Sequence, residues 1–418
     1  MQIPLTSSAR RISLGLVSAI LLAGYLWFVG REFAAAFFSE CVDLASLQRA
    51  TRWQPGNADY RHRLGRYFFL IQRSPDAAAD SYRAAVALNP FDAHYWFDLA
   101  AAYQWLGNTE QQRGALEHAL AADSSTPDIA WEAANFYLVQ GEPDKALHEF
   151  RVVMETEPNM IPHALALCWR VKPDIEALLR DAVPPTPVAY ANFLDFLVAK
   201  KETSAAARVW NQLVQLQQPV TQSLAFLYIR YLVTQHEVDQ ARLVWQQGAT
   251  LCGLSAYQPS QENLVINGDF SLNVLNGGFD WQYHQSKEVA LALDPTQSHN
   301  GHRSLLITFD ARSVDDAGIG QLIPVKPATR YEFSAVFKAD DIQGAGGPRF
   351  YIQDLYNETT FFSSDELKNA DFWKEVSGSF TTGADTKILL LHIRRDPPGM
   401  PIRGKLWIDT VRLSEAQP

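Results

Sequence analysis

Residues 96–107 read WFDLAAAYQWLG: Trp96, Leu99 and Tyr103 fall at helical spacing, Ala100 to Ala102 are small, and Gly107 closes the run. The same marks return 34 residues later. Tyr103 recurs as Tyr137, Gly107 as Gly141, and Leu116 as Phe150. Upstream, Leu64, Gly65 and Phe68, then Ala78, Tyr82, Ala85 and Pro90, form an earlier copy with one extra residue in its turn. A period in this range marks a solenoid of stacked units, each unable to bury its apolar face alone. Small residues such as Ala100, Ala119 and Ala146 let paired helices approach closely, and larger ones fill the seam between pairs. Gly107 and Gly141 are expected as left-handed caps of the first helix of their units, with Pro90 and Pro158 stopping the second.

Outward from this core the pattern weakens. Residues 160–187 carry Pro162, Pro173, Pro184, Pro185 and Pro187 and predict an irregular unit. Two weaker repeats follow, in which Ala206 and Trp210 return as Ala241 and Trp245, ending near Leu251. Residues 31–54 have helical composition and predict a first capping helix closed by Pro55. Trp96, Leu99, Tyr103 and Gly107, with the later alanines, aromatic and proline, resemble the tetratricopeptide repeat. That resemblance implies a scaffold that holds a protein partner in a concave groove; a mere spacer is the alternative.

The first 40 residues carry a different signal. Residues 13–30, SLGLVSAILLAGYLWFVG, contain no charge and as a helix span about 27 Å, enough for a bilayer core. Arg10 and Arg11 precede the run, while Arg31 is accompanied by Glu32 and Glu40. The positive-inside rule then keeps residues 1–12 in the cytoplasm and sends the remainder across the membrane. Tyr25, Trp27 and Phe28 suit an aromatic belt at the far end. A cleaved signal peptide, using Ala34 to Ala36, is the competing reading, although the apolar run exceeds the usual h-region.

Past residue 255 the apolar period changes from helical to alternating. Residues 303–309 and 331–338 place apolar side chains at every second position, and further strands are predicted at 288–293, 319–325, 349–354, 373–380, 387–394 and 405–413. Turns punctuate them at Asn267-Gly268, Asn276-Gly277-Gly278, the 344–348 run and Pro397-Pro398-Gly399. About nine strands without helices predict a jelly-roll sandwich. The expected organisation is multidomain: a cytoplasmic segment over 1–12, a transmembrane anchor over 13–30, an all-α repeat solenoid over 31–255 and an all-β sandwich over 256–418.

The opening run Asn263 to Phe270, then Gly278 to Trp281, Gly301 to Leu305, Gln321 to Tyr331 and the closing Leu406 to Leu413, resemble the galactose-binding-like jelly roll of family 4/9 carbohydrate-binding modules. The resemblance implies aromatic stacking on sugar rings and planar polar groups on hydroxyls. The candidate ligand residues are Trp281, Tyr283, Tyr351, Gln353, Trp373, His392 and Arg394; for Trp281 a core position competes. Alternation puts His392 and Arg394 on the face of their strand opposite Leu389, Leu391 and Ile393. The resemblance also implies a structural calcium near the paired chain ends, with Asp269 and Asp409 as side-chain ligands; capping of turns is the alternative.

Composition narrows the function. A net charge of −10 argues against nucleic-acid binding, which needs a basic face. Cys41, Cys168 and Cys252 lie far apart and form neither a disulfide framework nor a metal-ligand spacing. There is no nucleophile elbow, P-loop, dinucleotide fingerprint or H-E-x-x-H. The adjacent pairs Asp315-Asp316, Asp340-Asp341 and Asp365-Glu366 are read as solvated turn residues, not facing catalytic carboxylates. The expected function is a non-catalytic scaffold of the bacterial inner membrane, with its bulk periplasmic. It would bind a protein through its repeats and a glycan through its sandwich, in polysaccharide assembly or export. A structural subunit whose sandwich binds protein, and a glycan-processing enzyme, are the alternatives.

Overall fold

The computed structural model of the protein describes residues 8–284 and 286–416. Residues 1–7 of the expected cytoplasmic segment, and the last two of the sandwich, lie outside the described residues. The chain divides into two compact units between Pro184 and Pro185. The change from helix to strand near residue 255 falls inside the second.

The first unit begins with α1 (Ser8–Glu40), a helix of about 50 Å at 1.5 Å per residue. It is long and apolar enough to cross a membrane, and its most apolar window is wholly unburied. Its last third packs inward: Ala35 and Ser39 are buried, and Ala35 and Phe38 meet Ala50 and Tyr60. The single capping helix expected over 31–54 is instead two. The chain breaks after Glu40, and Asp43 caps α2 (Leu44–Trp53) by accepting from Ser46 N at 2.9 Å.

Helical hairpins follow: α3 (Ala58–Arg66) with α4 (Pro75–Leu88), α5 (Ala93–Leu106) with α6 (Thr109–Ala122), and α7 (Pro127–Val139) with α8 (Pro143–Thr156). The extra residue of the first copy is absorbed by a widened turn over Tyr67–Ile71, in which Gln72 N donates to Tyr67 O five residues back. Gly107 and Gly141 adopt φ of +72° and +74° as left-handed caps. The irregular unit is α9 (Ile161–Val171) and the short α10 (Ile175–Ala177), continued by a wide turn to Ala182. Tyr82, Ala119, Phe150 and Leu165 are core residues of these helices.

The second unit opens with α11 (Pro187–Lys200) and α12 (Thr203–Gln215), then α13 (Gln222–Thr234) and α14 (Val238–Leu251). Lys201 and His236 occupy the cap positions here, at φ of +61° and +62°, where the earlier copies have glycine. This replacement explains why the period fades in the sequence while the fold continues.

Ten strands follow: β1 (Gln282–Tyr283), β2 (Val289–Asp294), β3 (Ser304–Ser313), β4 (Asp316–Pro324), β5 (Arg330–Gln343), β6 (Gly347–Asp354), β7 (Thr360–Ser363), β8 (Lys374–Thr381), β9 (Ile388–Asp396) and β10 (Pro401–Glu415). They form two antiparallel five-stranded sheets, ordered β1-β4-β9-β6-β7 and β2-β3-β10-β5-β8. The core between them holds Phe270, Trp281, Tyr331, Phe333, Phe350, Leu389, Leu391 and Ile393. Phe333 meets Phe350 across the sheets, edge to face, at 5.3 Å.

Candidate functional site

Alternation on β6 and β9 turns Phe350, Ile352, Leu389, Leu391 and Ile393 into the core, so Tyr351, Gln353, His392 and Arg394 share the outer face of the first sheet. Register aligns them across strands. One row runs from Ser363 through Tyr351, His392 and Gly320 to Gln282. A neighbouring row joins Asp316, Arg394 and Arg349, and a third joins Leu322, Leu390, Gln353 and Thr360.

Contacts within these rows fix the side chains. The Arg394 guanidinium lies over the Tyr351 ring, 5.7 Å from its centroid. His392 approaches the same ring edge-on at 6.2 Å. Its Nδ1 lies 2.8 Å from Asp316 Oδ2, which orients the imidazole. Its Nε2 is buried and has no hydrogen-bond partner. Buried polar groups are seldom left unmatched, and this nitrogen, with no accessible surface, is an exception inside the row. Tyr351 stays half-buried and Arg394 exposed, whereas Gln353 is buried.

The other candidates lie elsewhere. Trp281 is a core residue, 1% exposed, stacked against Phe270 with its Nε1 donating to Asn267 O at 3.1 Å; no sugar ring can reach it. Tyr283, at the β1 edge, lines a different cleft of about 720 Å³ with Val274, Leu291 and Leu305. Trp373 precedes β8 of the second sheet and lies half-buried beside His299, 5.8 Å ring to ring. Four of the seven candidates therefore converge and three do not.

The two calcium candidates have their oxygens engaged. Asp409 is fully buried; its Oδ2 accepts from His299 N and Asn300 N, and its Oδ1 from Thr410 N and Oγ1. Asp269 accepts from Ser271 N and Oγ. Both act as turn caps, and this donor set does not fit a calcium shell. Among the described residues no cluster of three or more His, Cys, Asp or Glu could hold a metal ion. Burial pushes the Cys168 thiol up to about 12 and the Cys252 thiol up to about 11, so neither is a reactive thiolate.

Sequence reasoning missed three contributors. Asp316 is not a solvated turn carboxylate but the partner of His392, and its neighbour Asp315 accepts from Gly399 N. Gln282 completes the central row. Helix α13 stands beside the β1 end of that row, enclosing a cavity of about 400 Å³ lined by Phe226, Arg230, Thr234, Gln282, Leu322 and Tyr356. Asp316 and Gln282 follow from strand register, and no local signal marks α13 as a neighbour of the sheet.

Residues 262–398 match the carbohydrate binding domain family. Among solved structures, a crystal structure of MamA is 17% identical, covers 41% of this chain and 85% of that chain, and has a TM-score of 0.28. PilF of Pseudomonas aeruginosa is 17% identical over 52% of this chain and 92% of that chain, with a TM-score of 0.30. A carbohydrate-binding module of family 4 is 17% identical over 36% of this chain and 99% of that one, with a TM-score of 0.28. Protein IFIT1 homolog B of Homo sapiens is 28% identical over 135 residues, and this chain spans 28% of its length. The family match falls on the strand-bearing part of the chain, and the helical hairpins precede it.

Proposed function

We propose that this protein is a membrane-anchored, non-catalytic scaffold of the bacterial cell envelope. The repeats hold a protein partner, and the outer face of the first sheet holds a glycan during assembly or export of a polysaccharide. Anchoring rests on α1, with Arg10 and Arg11 keeping its start in the cytoplasm and the remainder of the chain in the periplasm. Burial of Ala35 favours a retained anchor over a cleaved signal peptide, because cleavage there would cut a packed helix.

The observation that carries the glycan reading is the set of Tyr351, Arg394 and the Asp316-oriented His392 on one sheet face. An aromatic platform beside a cation with several donors suits a polyhydroxylated ring, and the Asp316-oriented His392 packs against the edge of that platform. Full-length protein in detergent micelles, screened on a glycan array, is expected to retain a defined subset of glycans. Tyr351→Ala is expected to weaken retention roughly tenfold or more, as truncation of a central aromatic contact does. Retention of no glycan, or full retention by Tyr351→Ala, would refute the proposal.

A further inference from the structure

The central row of the first sheet ends at Gln282, and Gln282 also lines the cavity beside α13. At about 400 Å³ the cavity falls within the range of small-ligand sites, about 300–1,000 Å³. Its walls come from two kinds of structure: Phe226, Ile229, Arg230 and Thr234 from the helix, and Gln282 and Leu322 from the sheet. Between His392 and Gln282 the row contributes only Gly320, which adds no side chain of its own, and Leu390 Cδ1 lies 3.3 Å from where a Cβ there would stand.

The helical wall is held in place against the sheet. Tyr356, just past β6, donates its hydroxyl to Val233 O at 2.7 Å, and His236 stacks on its ring at 3.9 Å. Lys387, just before β9, pairs at 2.9 Å with Asp239 of α14, the helix that follows this wall. Phe226 lies against Gly277, where a Cβ would approach its ring to 2.3 Å. The wall is therefore preorganised and need not be ordered by a ligand.

Arg230 is exposed on this wall. It makes no hydrogen bond or ion pair with the described residues, and its neighbours one turn away, Phe226 and Thr234, carry no charge. A guanidinium without a counter-charge offers a planar donor fork that fits a carboxylate.

We infer that the cavity receives the end residue of an acidic glycan whose chain lies along the Tyr351–His392–Gln282 row, with the terminal uronate carboxylate on Arg230. This rests on the reading that the outer face binds glycan. Helix α13 acts as an end wall, so the site selects chain ends over chain interiors. Specificity would then come from a helical repeat, while the sheet supplies the platform.

The test uses full-length protein in detergent micelles and three probes: a β-1,4-mannuronate hexamer, cellohexaose and polymeric alginate. The uronate hexamer is expected to bind, and Arg230→Ala to weaken it at least tenfold while Arg230→Lys retains more affinity. Cellohexaose binding should not respond to Arg230→Ala. The hexamer should saturate the protein at a lower mass concentration than alginate, because it carries more ends per gram. Unchanged hexamer affinity in Arg230→Ala, or equal saturation by mass, overturns the inference. If Tyr351→Ala abolishes binding while Arg230→Ala leaves it intact, the glycan face stands and the end subsite falls. Binding of none of the three probes removes both.

Discussion

Gly278→Ala probes the junction of α14 with the loop before β1. Trp245 of α14 is 2% exposed; its Nε1 donates to Tyr257 O at 2.9 Å, and its ring stacks near Phe226 and meets Phe279 at 5.9 Å. Gly278 sits against that ring at φ +61°, and a Cβ there would lie 2.0 Å from Trp245 Cζ3 and 2.7 Å from Cε3. The left-handed backbone costs about 1 kcal/mol for alanine. The overlap adds about 1–3 kcal/mol, because a ring packed and hydrogen-bonded on several sides cannot swing away. The sum, about 2–4 kcal/mol, falls on the docked state. At 1.4 kcal/mol per tenfold, amides of residues 238–251 should exchange hydrogen roughly 30- to 1,000-fold faster. Gly399→Ala is the control: φ is +76° but nothing lies within 4 Å, so it carries strain alone and leaves α14 untouched. Unchanged exchange in α14 of Gly278→Ala would refute the packing argument.

Two further outcomes are expected. Burial pushes the carboxyl of Asp280 up to about 6, against an ordinary 3.8, while its Oδ2 accepts from Leu275 N at 2.7 Å and its Oδ1 has no partner. Its contribution is fully favourable below pH 3.8 and is lost as pH rises through about 6, a change of about 3 kcal/mol. Urea midpoints at pH 4, 5.5 and 7 should therefore show Asp280→Asn gaining on the parent chain as pH rises, and a pH-independent difference would refute it. Because the oxygens of Asp269 and Asp409 are taken by N–H and hydroxyl donors, a chelator should leave the melting temperature of the full-length protein unchanged. A fall of several degrees would instead place calcium in the sandwich.

Local periodicity made much of the architecture legible. The 34-residue spacing of Tyr103 with Tyr137 and Gly107 with Gly141 reports one hairpin's geometry repeated, and alternation along residues 331–338 reports one strand with a buried face. Where a local device was replaced, legibility failed. Lys201 and His236 fill left-handed caps without the glycine that signals them, and the break between α1 and α2 has no proline to announce it.

The site was half legible for the same reason. Alternation alone placed His392 and Arg394 opposite the core, since side-chain direction in a strand depends only on parity. Whether an aromatic ring faces a ligand or the core depends on what packs over it, and so Trp281 was only resolved by its burial beside Phe270. The His392–Asp316 pair joins residues 76 apart. The cavity at Arg230 joins a helix to strands more than 50 residues further on. The membrane-length helix, the repeat hairpins and the alternating strands are legible in the residue order, because each follows from spacing within one element or one hairpin. Tertiary structure alone decided which side chains share a row and what wall closes it, because those depend on strand register and on the docking of α13 and α14 against the sandwich.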